Sequence, residues 1–351
     1  MKKMIASLLA ALGLTSACGQ QSFEQTDVNG FAQLIDSPDV VLLDVRSADE
    51  FAEGHIAGAI NIDQGKSDFV EQVKATLPAD KTLAVYCRRG RRSASASGRL
   101  ADAGYRCVNL KGGIQAWQQA DMPVTTDTYE VDVFKTKSGK TVKFHALVHA
   151  SIRIEYDGKN IQIDPVSKLG DRVINYAQMP KADYIFVTHE HGDHYDPSAL
   201  KTLTGEGTRL VTNQRCADMY GSGEVMKNGD ALRISDDISV EAVPAYNTTE
   251  GHLQFHPKGR DNGYILTLDG LRIYIAGDTE DIPEMAGIQD IDIAFMPCNQ
   301  PYTMTPDQVL RAARMVKPKV LFPYHYGRTD VTALPSQLKA DGIDVRIRHY
   351  E

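Results

Sequence analysis

The chain has 351 residues, and at about 100–200 residues per domain this length favours two domains. Hydrophobic residues make up 42% of the chain and charged residues 24%, which excludes a disordered or fibrous protein. Asp plus Glu number 46 against 38 Lys plus Arg, and the net charge of -8 argues against nucleic acid as a partner. Five cysteines are too few for a disulfide framework, so each is interpreted from its surroundings.

The N-terminus has the pattern of an export signal. Two lysines precede an apolar run at residues 5–14 that is too short to cross a bilayer as a mature helix. Small residues then lead to Cys18, which resembles the cleavage box of bacterial lipoproteins. We expect residues 1–18 to be a lipoprotein signal peptide, Cys18 to be lipidated, and the mature protein to be anchored in the cell envelope. The alternative is a plain secretory signal with an incidental cysteine.

Short apolar runs alternate with helical stretches from residue 23 to about residue 122. The predicted elements are strands at 40–45 and 83–86, a helix that begins after the N-cap Ser47, and a helix at 93–103. This alternation predicts a parallel α/β sheet. The polar segment 118–128, which contains Pro123, is the predicted linker.

From residue 129 onward, strands dominate and turns separate them. The predicted strands are 131–134, 141–147, 151–156, 161–163, 184–188, 238–243, 264–268, 272–276, 291–296 and 320–323. A helix is predicted at 306–316. We expect one α/β domain of about 220 residues.

Cys87 follows a predicted strand and precedes a predicted helix. It opens the basic run Arg88-Arg89-Gly90-Arg91-Arg92. Backbone N–H groups and a helix N-terminus at this point stabilise a thiolate, and the arginines add positive charge that also attracts an anionic sulfur donor. The alternative is a buried structural cysteine beside a solvated run of charges.

Residues 23–125 resemble a single rhodanese domain. The matching motifs are Asp44-Val45-Arg46, Gly54-His55-Ile56-Ala57-Gly58-Ala59-Ile60-Asn61, the loop from Cys87 to Arg92, and Gly112-Gly113-Ile114. The resemblance implies a thiosulfate sulfurtransferase in which Cys87 is catalytic and the five residues after it bind the anionic sulfur substrate. The alternative is a domain that only binds a partner.

The segment Thr188-His189-Glu190-His191-Gly192-Asp193-His194 follows a predicted strand. Alternate residues of an extended chain face the same way, so His189 and His191 can converge on one metal ion. Asp193 and His194 lie on the turn beyond and can reach a second ion. Imidazole and carboxylate ligands suit zinc, iron or manganese.

Two further candidate ligands follow predicted strands, Asp278 as a bridging carboxylate and His325 at the second ion. Residues 130–351 resemble the metallo-β-lactamase superfamily, and within it the branch of ascorbate-6-phosphate lactonase. This resemblance implies an αββα sandwich with two divalent metal ions, zinc foremost and manganese or iron as alternatives. It also implies hydrolysis of an ester, lactone or phosphodiester by a metal-activated hydroxide, with Asp193 steering its proton and a small molecule as substrate.

One position departs from the family pattern. After the predicted strand 238–243, Asn247 stands where many members have a histidine ligand for the first metal. We expect His256 to take that role because Pro257 restricts its backbone, with His252 and Asn247 as alternatives. His149 matches a family residue at the mouth of the site and is expected to contact substrate, with a structural role as the alternative.

A different enzyme class remains open. A single-iron persulfide dioxygenase has the same fold, and a rhodanese domain could deliver its persulfide substrate. Asp278 and His325 argue against it because they complete a second metal position.

Overall fold

The structure is a computed structural model that describes residues 23–126 and 129–350. The expected signal peptide and Cys18 lie outside these residues. Within the described ranges, no helix is both long and apolar enough to cross a membrane.

Contacts divide the described chain into two compact units, with a division at residues 123–124. The first unit consists of residues 23–34, 39–53 and 61–123. The second consists of residues from 124 onward together with the short pieces 35–38 and 54–60.

The first unit is a five-stranded sheet flanked by helices, with strand order β1-β5-β4-β2-β3. Its strands are β1 (Glu24–Thr26), β2 (Val40–Asp44), β3 (Ile60–Asn61), β4 (Thr82–Tyr86) and β5 (Arg106–Leu110). Its helices are α1 (Val28–Ile35), α2 (Ala48–Ala52), α3 (Phe69–Thr76), α4 (Arg91–Asp102) and α5 (Gly113–Gln119). The pairs β1–β5, β5–β4 and β4–β2 are parallel, which confirms the predicted α/β class.

Local sequence signals explain two of these helices. The Ser47 side chain accepts a hydrogen bond from the backbone N–H of Glu50, which confirms the predicted N-cap of α2. Helix α4 begins at Arg91, two residues before the predicted start. Gly90 allows this early start because its φ of 82° turns the chain directly from the Cys87 loop into the helix.

The second unit contains two seven-stranded sheets. The first has the order β14-β13-β12-β9-β8-β7-β6 and consists of β6 (Val131–Lys135), β7 (Thr141–Val148), β8 (Ser151–Tyr156), β9 (Lys159–Ile163), β12 (Tyr184–Val187), β13 (Arg209–Thr212) and β14 (Glu224–Val225). A separate small hairpin pairs β10 (Lys168–Leu169) with β11 (Arg172–Val173). Two helices follow β12 and β13, namely α6 (Pro197–Leu203) and α7 (Gln214–Tyr220).

The second sheet has the order β15-β16-β17-β18-β19-β20-β21. It consists of β15 (Ala231–Arg233), β16 (Ile238–Ala245), β17 (Asp261–Leu268), β18 (Leu271–Ile275), β19 (Ile293–Pro297), β20 (Val320–Tyr324) and β21 (Asp344–Val345). Helices α8 (Pro306–Val316) and α9 (Leu334–Leu338) complete this part of the unit. Three 3₁₀ turns occupy Tyr176–Gln178, Pro283–Gly287 and Lys339–Asp341.

The layers of the second unit follow from the alternation of side chains along its strands. Ile273 and Ile275 of β18 join a core between the two sheets, together with Phe144 of β7. Tyr274 faces the other way and packs in a second core with Val309 of α8. Helix α6 packs in a third core with residues of β12. The result is the predicted αββα sandwich.

Candidate functional sites

The first candidate site is the loop after β4. Cys87 is 1% exposed, and the Ser93 hydroxyl donates a hydrogen bond to its sulfur at 3.3 Å. The loop ends at the N-terminus of α4, where unpaired backbone N–H groups and the helix dipole favour negative charge. Arg88, Arg89 and Arg91 are exposed around it. The surroundings therefore favour an anionic ligand.

Arg92 differs from the other arginines of the loop. Its guanidinium donates two hydrogen bonds of 2.6 Å to the carboxylate of Glu50, on α2. Those hydrogen bonds lower the pKa of Glu50 from 4.5 to about 2. The charge of Arg92 is therefore largely compensated, and three arginines provide the uncompensated positive charge.

The backbone at Gly112-Gly113 packs directly against the Cys87 loop. A Cβ atom at Gly113 would lie 2.2 Å from the Cys87 carbonyl oxygen, so a larger residue would displace the loop. Ile114 donates its backbone N–H to that same carbonyl at 2.8 Å. The two glycines thus allow this backbone segment to pack closely against that of the Cys87 loop.

The other described cysteines have apolar surroundings. Burial raises the pKa of the thiols of Cys107, Cys216 and Cys298 to about 12 each. At neutral pH these three remain neutral thiols that fill space in the core.

The second candidate site lies in the second unit, where loops after several strands converge. One group of potential metal ligands consists of His189 and His191, which follow β12, and His256, from the loop between β16 and β17. His191 Nδ1 lies 3.1 Å from His189 Nε2 and 3.2 Å from His256 Nε2. His252 is not a member of this group.

A second group lies beside the first. It contains Asp193, His194, His325, which follows β20, and His149, from the turn between β7 and β8. His325 Nε2 is 3.5 Å from Asp193 Oδ2, and His149 Nε2 is 3.2 Å from the same oxygen. His149 is 6% exposed and its ring lies 3.7 Å from that of His325, so it is buried beside the potential ligands.

Asp278 connects the two groups. Its Oδ1 is 3.2 Å from His194 Nε2, and its Oδ2 is 3.4 Å from His256 Nε2 and 3.2 Å from His325 Nε2. Gly277 allows this approach, since a Cβ there would lie 2.9 Å from the carbonyl oxygen of Asn262. The carboxylate therefore lies between the two groups of potential ligands.

Asp164 supports the cluster from behind, and sequence reasoning assigned it no role in the site. It is fully buried, and it accepts hydrogen bonds from the backbone and hydroxyl of Thr188, both at 2.7 Å, and from His194 Nδ1 at 2.8 Å. Because His194 Nδ1 donates to this carboxylate, its Nε2 is the ring nitrogen that faces Asp278. The available signal was its position in Ile163-Asp164-Pro165, directly after β9.

These donor atoms fit divalent cations. Ligand atoms about 2.0–2.1 Å from one tetrahedral zinc ion lie roughly 3.3 Å apart, close to the separations observed here. Within the described residues, the buried atoms His194 Nε2, Asp278 Oδ1 and His325 Nε2 have no hydrogen-bond partner. Buried polar atoms are costly to leave unpaired, and a bound cation satisfies them.

Electrostatics differ within the cluster. Burial opposes the charged form of His194 and His325, but Asp278 and Asp193 raise the pKa of His194 well above its ordinary value and that of His325 to about 9. Burial, together with the nearby His194, lowers the pKa of His189 well below its ordinary value. Burial also lowers the pKa of His256 to about 4. Both imidazoles are therefore neutral at neutral pH, which is the form that binds metal.

Two residues of the second group have unusual backbones. His149 and His325 have φ values of 55° and 48°, in the left-handed region that residues with a Cβ rarely adopt. The backbone N–H of His325 donates to the carbonyl of His149 at 3.1 Å, which ties the two segments together. Strained backbone of this kind is concentrated at functional sites.

Comparisons of the chain with known protein families identify both regions. The family model described as "Beta-lactamase superfamily domain" matches residues 143–325, more than half of the chain. The chain belongs to the beta-lactamase superfamily. A second model, "Rhodanese-like domain", matches residues 27–120. The resemblance of both regions is thus confirmed at the level of the family.

Relatives within the superfamily share the second unit. A "UPF0173 metal-dependent hydrolase" of Thermococcus kodakarensis is 32% identical over 197 residues, which cover 53% of this chain and 84% of the relative. One from Methanopyrus kandleri is 28% identical over 216 residues, covering 57% and 93%. A crystal structure described as "Putative metal-dependent hydrolase from Parabacteroides distasonis" is 52% identical, has a TM-score of 0.62, and covers 64% of this chain and 100% of its own.

Proposed function

We propose that the protein is a metal-dependent hydrolase that uses two divalent metal ions, and that its rhodanese-like domain transfers sulfur through Cys87. The observation that carries the first part is the pair of ligand groups joined by Asp278. Relatives named as metal-dependent hydrolases support it. Zinc is the first candidate metal, with manganese and iron as alternatives.

The first ion would be held by His189, His191 and His256, and the second by Asp193, His194 and His325, with His149 as a further donor. When bound, two divalent cations lower the pKa of a water molecule and polarise the oxygen of the scissile bond. Asp278, which lies beside residues of both groups, would be shared between them. These ligands suit an ester, lactone or phosphodiester of a small molecule.

Asp193 is the proposed proton acceptor of the cluster. Its side chain is 34% exposed, whereas that of Asp278 is 3% exposed, so Asp193 is the carboxylate that an incoming water can reach. Burial opposes ionisation of Asp193, but the charge of His194 and the contacts of His149 and His325 with its carboxylate lower its pKa far below the ordinary value. The ionised Oδ2 can therefore orient a water by accepting its hydrogen bond.

The hydrolase proposal is tested with the full-length protein stripped of metal by a chelator. Ester, lactone and phosphodiester substrates are assayed before and after zinc, manganese or iron is restored. We expect hydrolysis of at least one class to return with metal. Activity that is the same with and without metal in every class would contradict the proposal.

The sulfur-transfer proposal rests on the Cys87 loop. The Cys87 thiolate would attack the outer sulfur of thiosulfate, the S–S bond would break, and sulfite would leave with the bonding electron pair. Cyanide would then take the outer sulfur from the persulfide as thiocyanate and restore the thiolate. Exposed Arg88, Arg89 and Arg91, with Gly90 turning the loop, support binding of the dianionic donor.

Lipid anchoring through Cys18 remains a proposal from the sequence. Replacement of Cys18 by Ser should release the protein from the membrane fraction of the producing cells and abolish labelling by a fatty-acid probe. A Cys18→Ser variant that stays in the membrane fraction would contradict the proposed envelope anchor.

A further inference from the structure

Asn247 lies behind His256, on the side of the ring away from the other potential ligands. It is 2% exposed, and its Oδ1 lies 2.7 Å from His256 Nδ1. Its Nδ2 donates to the backbone carbonyl of Tyr302 at 2.8 Å and to Glu280 Oε1 at 3.3 Å. The residue that replaces the expected histidine ligand thus contacts the histidine that stands in the ligand group.

The partners of Asn247 determine where the proton of His256 lies. Both contacts of Nδ2 are with acceptors, which fixes the amide so that Oδ1 faces the imidazole. The carbonyl oxygen of Tyr302 lies 3.2 Å from the same ring nitrogen. With two acceptors facing it, His256 Nδ1 bears the proton and Nε2 has the lone pair. That Nε2 faces His191 Nδ1 and Asp278 Oδ2.

Glu280 holds Asn247 and its loop in place. Its carboxylate is fully buried and accepts hydrogen bonds of 2.7–2.9 Å from the backbone N–H and hydroxyl groups of Thr248 and Thr249. The backbone N–H of Asn247 also donates to the carbonyl of His256 at 2.9 Å. The amide group is therefore fixed from both its main chain and its side chain.

We propose that Asn247 is a positioning residue, which selects the tautomer and orientation of His256 needed for metal binding, and that Glu280 anchors Asn247. This rests on the proposed function, in which His256 is a ligand of the first metal. Outer hydrogen-bond partners of this kind typically change metal affinity by about 10–100-fold.

Two substitutions of nearly equal size separate positioning from simple packing. Asn247→Asp keeps an oxygen that accepts from His256 Nδ1, whereas Asn247→Leu removes it. Both variants lose the donor to Tyr302 and Glu280, and Asn247→Asp also adds a carboxylate beside the buried Glu280. A purely structural role would therefore affect Asn247→Asp at least as strongly as Asn247→Leu. Asn228→Ala is the matched control, because Asn228 makes three side-chain hydrogen bonds in the same unit and contacts none of the potential ligands.

The readouts are zinc affinity of the stripped full-length protein, from competition with a chromophoric chelator, and the ¹⁵N shifts of the His256 imidazole. We expect Asn247→Leu to weaken one zinc site by about 10–100-fold and to lose the Nδ1–H tautomer. Asn247→Asp should retain that tautomer and bind zinc more tightly than Asn247→Leu. Asn228→Ala should bind zinc like the wild type.

Wild-type zinc affinity in Asn247→Leu, or equal losses in Asn247→Leu and Asn247→Asp, would overturn the positioning role. His256→Ala distinguishes this failure from that of the proposed function. If His256→Ala weakens zinc binding and Asn247→Leu does not, only the positioning role fails. If His256→Ala binds zinc like the wild type, the proposed ligand set fails and the positioning role fails with it.

Discussion

The two candidate sites are built in opposite ways. The Cys87 site consists of six consecutive residues, four in the loop after β4 and two in the first turn of α4, and its electrostatics come from that local geometry. The metal-ligand cluster brings together residues from 149 to 325, positioned by loops after strands of two different sheets. A continuous site tolerates distant changes, whereas a distributed site depends on the packing of the whole sandwich.

If the two sites act independently, a substitution in one should leave the activity of the other unchanged. Cys87→Ser should abolish cyanide-dependent sulfur transfer from thiosulfate, because a hydroxyl at neutral pH is not ionised and cannot hold the sulfane sulfur. Metal-dependent hydrolysis should not change. Cys107→Ser, at a buried cysteine of the same unit, is the control and should retain sulfur transfer. Undiminished transfer in Cys87→Ser would exclude this cysteine as the carrier.

Asp278→Asn is the reciprocal test in the second unit. The change removes the negative charge shared by both ligand groups, and we expect hydrolysis to fall about 1000-fold, equivalent to about 4 kcal/mol of transition-state stabilisation. Sulfur transfer measured on the same preparation should remain at the wild-type rate. Hydrolysis within about threefold of the wild type would show that Asp278 is not a metal ligand.

The third prediction concerns the two histidines of the loop between β16 and β17. His256→Ala should weaken metal binding more than about 100-fold, because it removes a direct ligand. His252→Ala should bind metal nearly as the wild type does, since His252 Nδ1 lies 3.5 Å from Glu280 and outside the ligand groups. Metal content after dialysis, measured by mass spectrometry, checks both. The reverse pattern would transfer the role to His252.

The smallest expected effect concerns the charge balance of the Cys87 loop. Arg92 holds the folded-state pKa of Glu50 near 2, below its ordinary value of 4.5, so the pair stabilises the fold above about pH 4.5. This stabilisation is lost as the pH falls toward 2. Glu50→Gln should therefore lower the free energy of unfolding at pH 7, by less than about 1 kcal/mol because both side chains are partly exposed.

Trp117 provides the measurement for Glu50→Gln. It is the only tryptophan of the chain and is buried in the first unit, so its fluorescence follows the unfolding of that unit in urea. The difference between wild type and variant should shrink as the pH is lowered from 4.5. A difference that is constant with pH would contradict the assigned ion pair.

The sequence predicted the long elements of the fold well. Strand β8 and helix α8 have the predicted bounds, because apolar periodicity and a Thr305 capping box with Pro306 mark them locally. Short strands such as β10, β14 and β21, of two residues each, were not predicted. Their pairing depends on neighbouring strands that periodicity does not reveal.

The same limit applies to the second candidate site. The run from His189 to His194 was visible as a motif, and Asp278 and His325 as polar residues after strands. Asp164 and Asn247 were not assigned supporting roles, because their contacts arise only when distant segments meet. The burial of His149 likewise arises only when its turn meets the segment that contains His325.

The central claim is that Asp278 joins two metal positions in one chain. Metal analysis of the full-length protein after loading with zinc and removal of free metal tests it most directly. We expect about two zinc ions per chain for the wild type and fewer for Asp278→Asn. One iron per purified chain, together with oxygen uptake on addition of glutathione persulfide, would contradict this account and favour the dioxygenase alternative.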